Sequence, residues 1–238
     1  MPARPALIVH AAAASQLLPP VLGIASGRLS PPARRWVVVW CLLQAASDGI
    51  SLAVAFLGHR NLWVTSLFTP VSGAVALWAL SCWQRGATGR LALRIAIPLF
   101  LLVSAALTLG VDDPRTFSLI AAPYHALVLF FAALWTFMTR SLAERGGLLR
   151  QDWFWVLGGI MLFTGTATAL QPLSWYLLRV AREDLLVSAL NLKASVDVLA
   201  FVAIALGVLC PLPPTHFGGA FSPQSSPLAS SSAPSASP

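Results

Sequence analysis

The chain has 238 residues, 57% of them hydrophobic and only 10% charged, with a mean hydropathy of +0.77. That much apolar surface exceeds what one soluble core of this length can hide, so composition predicts an all-α, polytopic membrane protein. The formal charge of +7 comes from basic residues standing singly or in twos between apolar runs, which excludes the continuous basic face of a nucleic-acid-binding protein.

A spanning helix needs roughly 20 mainly apolar residues. The first segment of that length is 6–25, with His10, Gln16 and the pair Pro19-Pro20 inside it. Its apolar start "ALIV" is too short for the hydrophobic region of a signal peptide, the rival reading, so a kinked first helix is expected. Six further spans follow at 36–57, 62–83, 91–111, 117–138, 153–173 and 185–208, which predicts a seven-transmembrane-helix bundle over residues 1–210. The last stretch, 211–238, holds seven prolines, many serines and no charge. It cannot bury enough apolar surface to offset the entropy of ordering, and a disordered tail is expected.

Lys and Arg accumulate in cytoplasmic loops. With seven spans, Arg28, Arg34, Arg35, Arg85, Arg90, Arg94, Arg140, Arg145 and Arg150 fall on one side, and Arg4, Arg60, Arg115, Arg179 and Arg182 on the other. Nine against five predicts an outside N-terminus and an inside C-terminus. Asp112, Asp113, Glu183 and Asp184 offset the smaller set. The nine tryptophans fall toward span ends, as lipid anchors and packing groups. Cys41, Cys82 and Cys210 have no paired spacing, so neither a disulfide framework nor a thiolate metal site is expected. No fixed-period repeat or inverted symmetry is visible.

The single lysine of the chain, Lys193, lies with Asp197 inside the last span. Four residues apart, the two share a helix face, while Asn191 and Ser195 form a second polar face. A central charge facing lipid costs about 2.5–3.5 kcal/mol, so this helix is expected to be surrounded by others. At ~1.5 Å rise per residue, Lys193, Asp197, Asp48 and His125 fall at similar depths in the outer half. Gln44, Ser47 and Ser51 flank Asp48, and Thr164, Thr166, Thr168 and Gln171 line the outer part of the sixth span. The candidate site is therefore a cavity open to the outside, with Asp48 and Asp197 sharing Lys193 and with Gln44 and His125 beside them. The competing structural reading is that such groups only join helices, and it is preferred for His125 and the threonines.

Two stretches carry a resemblance. "GHRNLWVTSLFTPVSGAVALWALSCW" holds Asn61, Leu62 and Trp63 at a helix start followed by Thr69-Pro70. "DWFWVLGGIMLFTGTATAL" holds Phe154, Trp155, Gly158 or Gly159, and Gly165-Thr166. Together with the proline-bearing "LLPPVLGIASGRL", they resemble a set of uncharacterised bacterial seven-helix membrane proteins over residues 8–210. The resemblance implies architecture and no activity, and it does not extend to Lys193 and Asp197.

Four functions compete. A sensory or receptor-like protein of the plasma membrane, binding a small-molecule ligand or a separate signalling partner, fits the topology and is preferred. A small ion- or proton-coupled transporter using Asp48, Lys193 and Asp197 is the alternative. A retinal protein is disfavoured, because Asp197 follows the lysine and the third span has no acid for a counterion. An enzyme is not expected: there is no HExxH, GxSxG or CxxC, and His10, His59, His125 and His216 are dispersed. No cofactor or metal is expected either.

Overall fold

The computed structural model describes residues 7–59, 61–111, 120–144 and 147–211. Arg4, Arg60, Arg115, Arg145, Asp112, Asp113, His216 and the tail from 212 onward lie outside the described residues. Within them the chain is all helical, without a strand, and has seven helical segments long and apolar enough to cross a membrane.

The first segment is broken, and its prolines say where. Helices α1 (Leu7–Ser15) and α2 (Leu18–Ala25) meet at Gln16 and Leu17. Pro19 and Pro20 have no N–H to return to the carbonyls of Ser15 and Gln16, and their rings crowd those carbonyls, so the first helix stops there. The same missing donors are harmless in the first turn of α2, where N–H groups have no helical acceptor anyway. Gln16 therefore sits at a break, and it is buried.

Helices α3 (Pro32–Phe56), α4 (Leu62–Trp83), α5 (Ala87–Gly110), α6 (Ala121–Ala143), α7 (Asp152–Arg179) and α8 (Glu183–Leu209) follow. Several run past the apolar cores read from sequence. Helix α3 starts on Pro32 at N1, α5 starts behind extended Gly86, and α7 continues to Arg179 with Pro172 inside it. The α3–α4 and α7–α8 turns close alike: His59 N–H donates to Val54 O (3.1 Å) and Arg182 N–H to Leu177 O (3.1 Å), each reaching back across a left-handed residue. That residue is Gly58 (φ 75°) in one turn but Ala181 (φ 53°) in the other, where the Cβ adds about 1–2 kcal/mol of strain.

Packing runs α8–α7–α6–α4–α3, and the α1–α2 pair closes the ring against α3 and α8. Helix α5 lies outside it, mainly against α4, and presents Leu91, Ile95, Leu99, Leu102 and Leu109 outward. Between apolar helices in lipid no hydrophobic force favours contact, so close approach relies on small residues. Helices α7 and α8 meet at Gly159 and Gly207: a Cβ on Gly159 would lie 2.5 Å from Ala200 O, and one on Gly207 would lie 2.5 Å from Val156 Cγ2.

The ring is filled unevenly. Toward one end Val37, Trp40, Leu77, Leu80, Trp83, Trp153, Leu157, Phe201 and Ile204 form a dense core. Trp40, Phe163 and Phe201 form its upper layer, with ring centroids 5.4–6.1 Å apart. That end also collects arginines that sequence counting treated only as topology markers. Arg34 is completely buried; its Nε donates to Asp152 Oδ2 (2.9 Å) and its Nη1 to Val208 O (3.1 Å). Arg28 donates to the adjacent Leu209 O. Glu144 receives Arg85 Nη2 and Arg140 Nη1, each at 2.8 Å, and Trp153 Nε1 at 2.7 Å. Cys41, Cys82 and Cys210 are free thiols. Burial and then the Asp152 carboxylate push the Cys210 thiol up, against the opposing pull of Arg34 and Arg28.

Candidate functional site

Above the aromatic layer the ring encloses a cavity of about 200 Å³, lined by Gln16 and by residues of α3, α4, α6, α7 and α8. All five residues singled out in the sequence, Gln44, Asp48, His125, Lys193 and Asp197, are in its wall. Helix periodicity accounts for the convergence. Gln44 and Asp48 are one turn apart on α3, as are Lys193 and Asp197 on α8, so each pair shares a helix face that reaches the cavity. Asp48 is itself exposed and also borders a groove between α1 and α3.

The expected sharing of Lys193 between two carboxylates is not how the charges are arranged. Lys193 Nζ donates to Asp197 Oδ2 at 2.5 Å, and its ammonium lies 5.2 Å from the Phe163 ring centroid. Asp48 Oδ2 instead accepts Gln16 Nε2 at 2.6 Å. The geometry favours separate pairs because Lys193 and Asp197 are already neighbours on one helix, whereas Gln16 is carried to Asp48 by the α1–α2 break. Among the described residues, Asp48 has no ion pair within 4 Å.

His125 is buried and joined to α5: its Nε2 lies 2.8 Å from Ser104 Oγ, whose own hydroxyl donates to Phe100 O at 2.6 Å. Since a hydroxyl has one proton, Ser104 accepts here and His125 Nε2 carries the hydrogen. The ring packs edge-on to Phe100 at 5.2 Å. His125 thus fastens α6 to α5 while presenting one face to the cavity.

Of the other polar residues noted in sequence, Ser47, Thr164 and Gln171 reach the cavity wall; Ser51, Thr166, Thr168 and His10 do not. The Thr166 and Thr168 hydroxyls return to carbonyls of their own helix, at 2.7 Å and 2.9 Å. Ser195 on the second polar face of α8 is exposed rather than covered, and its hydroxyl donates to Asn191 O at 2.9 Å. A serine that satisfies itself on its own backbone can face outward at little cost.

Sequence reasoning missed Gln16, Thr65, Thr69, Ser72 and Trp40 as wall residues. The double proline marks the break that exposes Gln16, so that signal was present; the rotation of α4 that turns its hydroxyls inward leaves no trace in one sequence. Among the described residues, Gln16 Oε1, Gln171 Oε1, Asp197 Oδ1 and Trp40 Nε1 are buried without a hydrogen-bond partner. Unpartnered polar atoms around a polar cavity call for water or a ligand. No group of three or more His, Cys, Asp or Glu that could hold a metal occurs among the described residues.

The pairing of Lys193 with Asp197 makes a direct prediction. Asp197→Leu leaves the ammonium with the Phe163 face and the more distant charge of Asp48, and should destabilise by about 2 kcal/mol. That is less than the ~3–5 kcal/mol of a fully buried pair, since the Lys193 side chain is 24% exposed. The Lys193→Met/Asp197→Leu double variant should recover most of the loss in thermal unfolding of purified protein. An additive double variant would refute the pairing.

No family model, curated protein or solved structure matches the chain.

Proposed function

We propose that the chain is a multi-pass protein of the plasma membrane, N-terminus outside and C-terminus inside, whose cavity receives a small polar ligand in the manner of a receptor. The likeness to bacterial seven-helix membrane proteins belongs to the same reading. The observation that carries it is the polarity of one half of the ring against the close packing of the other. Asp48, Lys193, Asp197, Gln16, Gln44 and His125 line a chamber above Trp40, Phe163 and Phe201. Below that layer the core is aliphatic and aromatic through to the Arg34 and Glu144 clusters. A blind chamber suits binding. A signal would pass to a separate partner at the arginine-rich end, which by the positive-inside rule is cytoplasmic.

A second reading is favoured by one observation: three ionisable side chains from α3 and α8 border the same chamber, an arrangement suited to a proton- or ion-coupled transporter. Proteoliposomes separate the two. With purified wild type beside Asp48→Asn, Lys193→Met and Asp197→Asn, the receptor reading expects no proton or solute flux above empty vesicles. Flux in the wild type that disappears in variants still folded by size exclusion overturns it in favour of transport.

A further inference from the structure

Taking the cavity to be a ligand site, we infer that its ligand is a small organic cation carrying an ammonium group. The wall carries two carboxylates, Asp48 and Asp197, against one ammonium, Lys193. With these ionised, its formal charge is therefore −1. Unpartnered acceptors add to that negative charge. Among the described residues of the wall, Gln16 Oε1, Gln171 Oε1 and Asp197 Oδ1 are buried acceptors without a hydrogen-bond partner, and only donors satisfy them. Gln16 cannot relieve the imbalance by turning its amide, because its Nε2 already donates to Asp48 Oδ2. Its Oε1 is fixed as an acceptor for whatever enters.

An ammonium supplies both missing quantities, a positive charge and several N–H donors. The remaining surface fits an organic rather than a bare ion. Trp40 and Phe163 form the cavity floor, and aromatic faces attract alkylammonium groups. Lys193 itself demonstrates the preference, with its ammonium over Phe163. An anion would meet two carboxylates, and the one ammonium of the wall is already neutralised by Asp197. A volume of about 200 Å³ admits an amine of a few heavy atoms and excludes a peptide.

The test is calorimetric titration of purified, detergent-solubilised wild type with methylammonium chloride, sodium chloride, glycine and sodium acetate at constant ionic strength. Saturable binding is expected for methylammonium, tighter than for sodium, glycine or acetate. Asp48→Asn should weaken it by roughly tenfold or more, since a charge-assisted hydrogen bond is lost. Absence of ammonium binding, or sodium, glycine or acetate binding at least as tightly, overturns the inference. The wild-type series decides this even where Asp48→Asn does not fold. The outcome is separable from the receptor reading: ammonium binding accompanied by flux keeps the cation and discards the receptor, whereas glycine or acetate binding without flux does the reverse.

Discussion

Replacing Arg34 with methionine should destabilise the protein by about 3 kcal/mol, the low end for removing one partner from a buried ion pair because the Asp152 side chain left behind is 21% exposed. Arg34 has no exposed surface and ties three elements together. Its Nε holds Asp152 at the first residue of α7, and its Nη1 holds the Val208 carbonyl in the last turn of α8. Both contacts suit the helix dipoles, with a carboxylate at an N-terminus and a cation at a C-terminus. In Arg34→Met the Asp152 carboxylate keeps only the Trp153 N–H, at 2.7 Å, and the 21% exposure of its side chain. Val208 O loses its arginine donor in a dense core.

Lysine should not rescue the position. A single ammonium cannot span Asp152 and Val208 O as the guanidinium fork does, so Arg34→Lys is expected to lose most of the stability lost by Arg34→Met. Thermal unfolding in one detergent, with Asp152→Asn and the double variant, checks this. Arg34→Met and Asp152→Asn should be strongly non-additive; simple additivity would mean that the contact contributes little.

Asp48, His125, Lys193 and Asp197 share one cavity wall because helical rise and periodicity are fixed by the backbone, and spans with clear apolar limits set where counting begins. What the count could not contain is how each helix is turned and which neighbour it meets. Gln16 became the partner of Asp48 because two prolines break the first span, and Lys193 kept to its own helix, so the expected three-way cluster resolved into two pairs. Arg34 was legible as a topology marker but not as a clamp. Its partner Asp152 is 118 residues away, and nothing local in either residue declares the pairing. The apolar residues that close the cavity below resemble any others in a hydrophobic span until the ring is assembled.

The neighbouring glycines of α7 provide the second large effect, because the same residue type one position apart should respond oppositely. On the resemblance alone, Gly158 and Gly159 were interchangeable as the small residue after Phe154-Trp155. In the fold, a Cβ on Gly158 meets nothing within 4 Å, while one on Gly159 would lie 2.5 Å from Ala200 O and 2.6 Å from Ile204 Cγ1. The first obstacle is backbone and cannot rotate away, so α7 and α8 must separate. Gly159→Val should therefore cost about 3 kcal/mol, the upper part of the range for overpacking. Gly158→Ala should be neutral or stabilising by up to about 1 kcal/mol, because a helical glycine gives up more backbone entropy than alanine. The consequence extends to the cavity: Phe163 and Thr164 are one turn along α7, and Lys193 and Asp197 lie on the helix that would be displaced. Melting curves of the two variants test the packing, and methylammonium titration tests its reach, with Gly159→Val expected to lose both stability and binding and Gly158→Ala to keep both. Equal melting of the two would show that α7 and α8 do not approach as closely as the Gly159 contact requires.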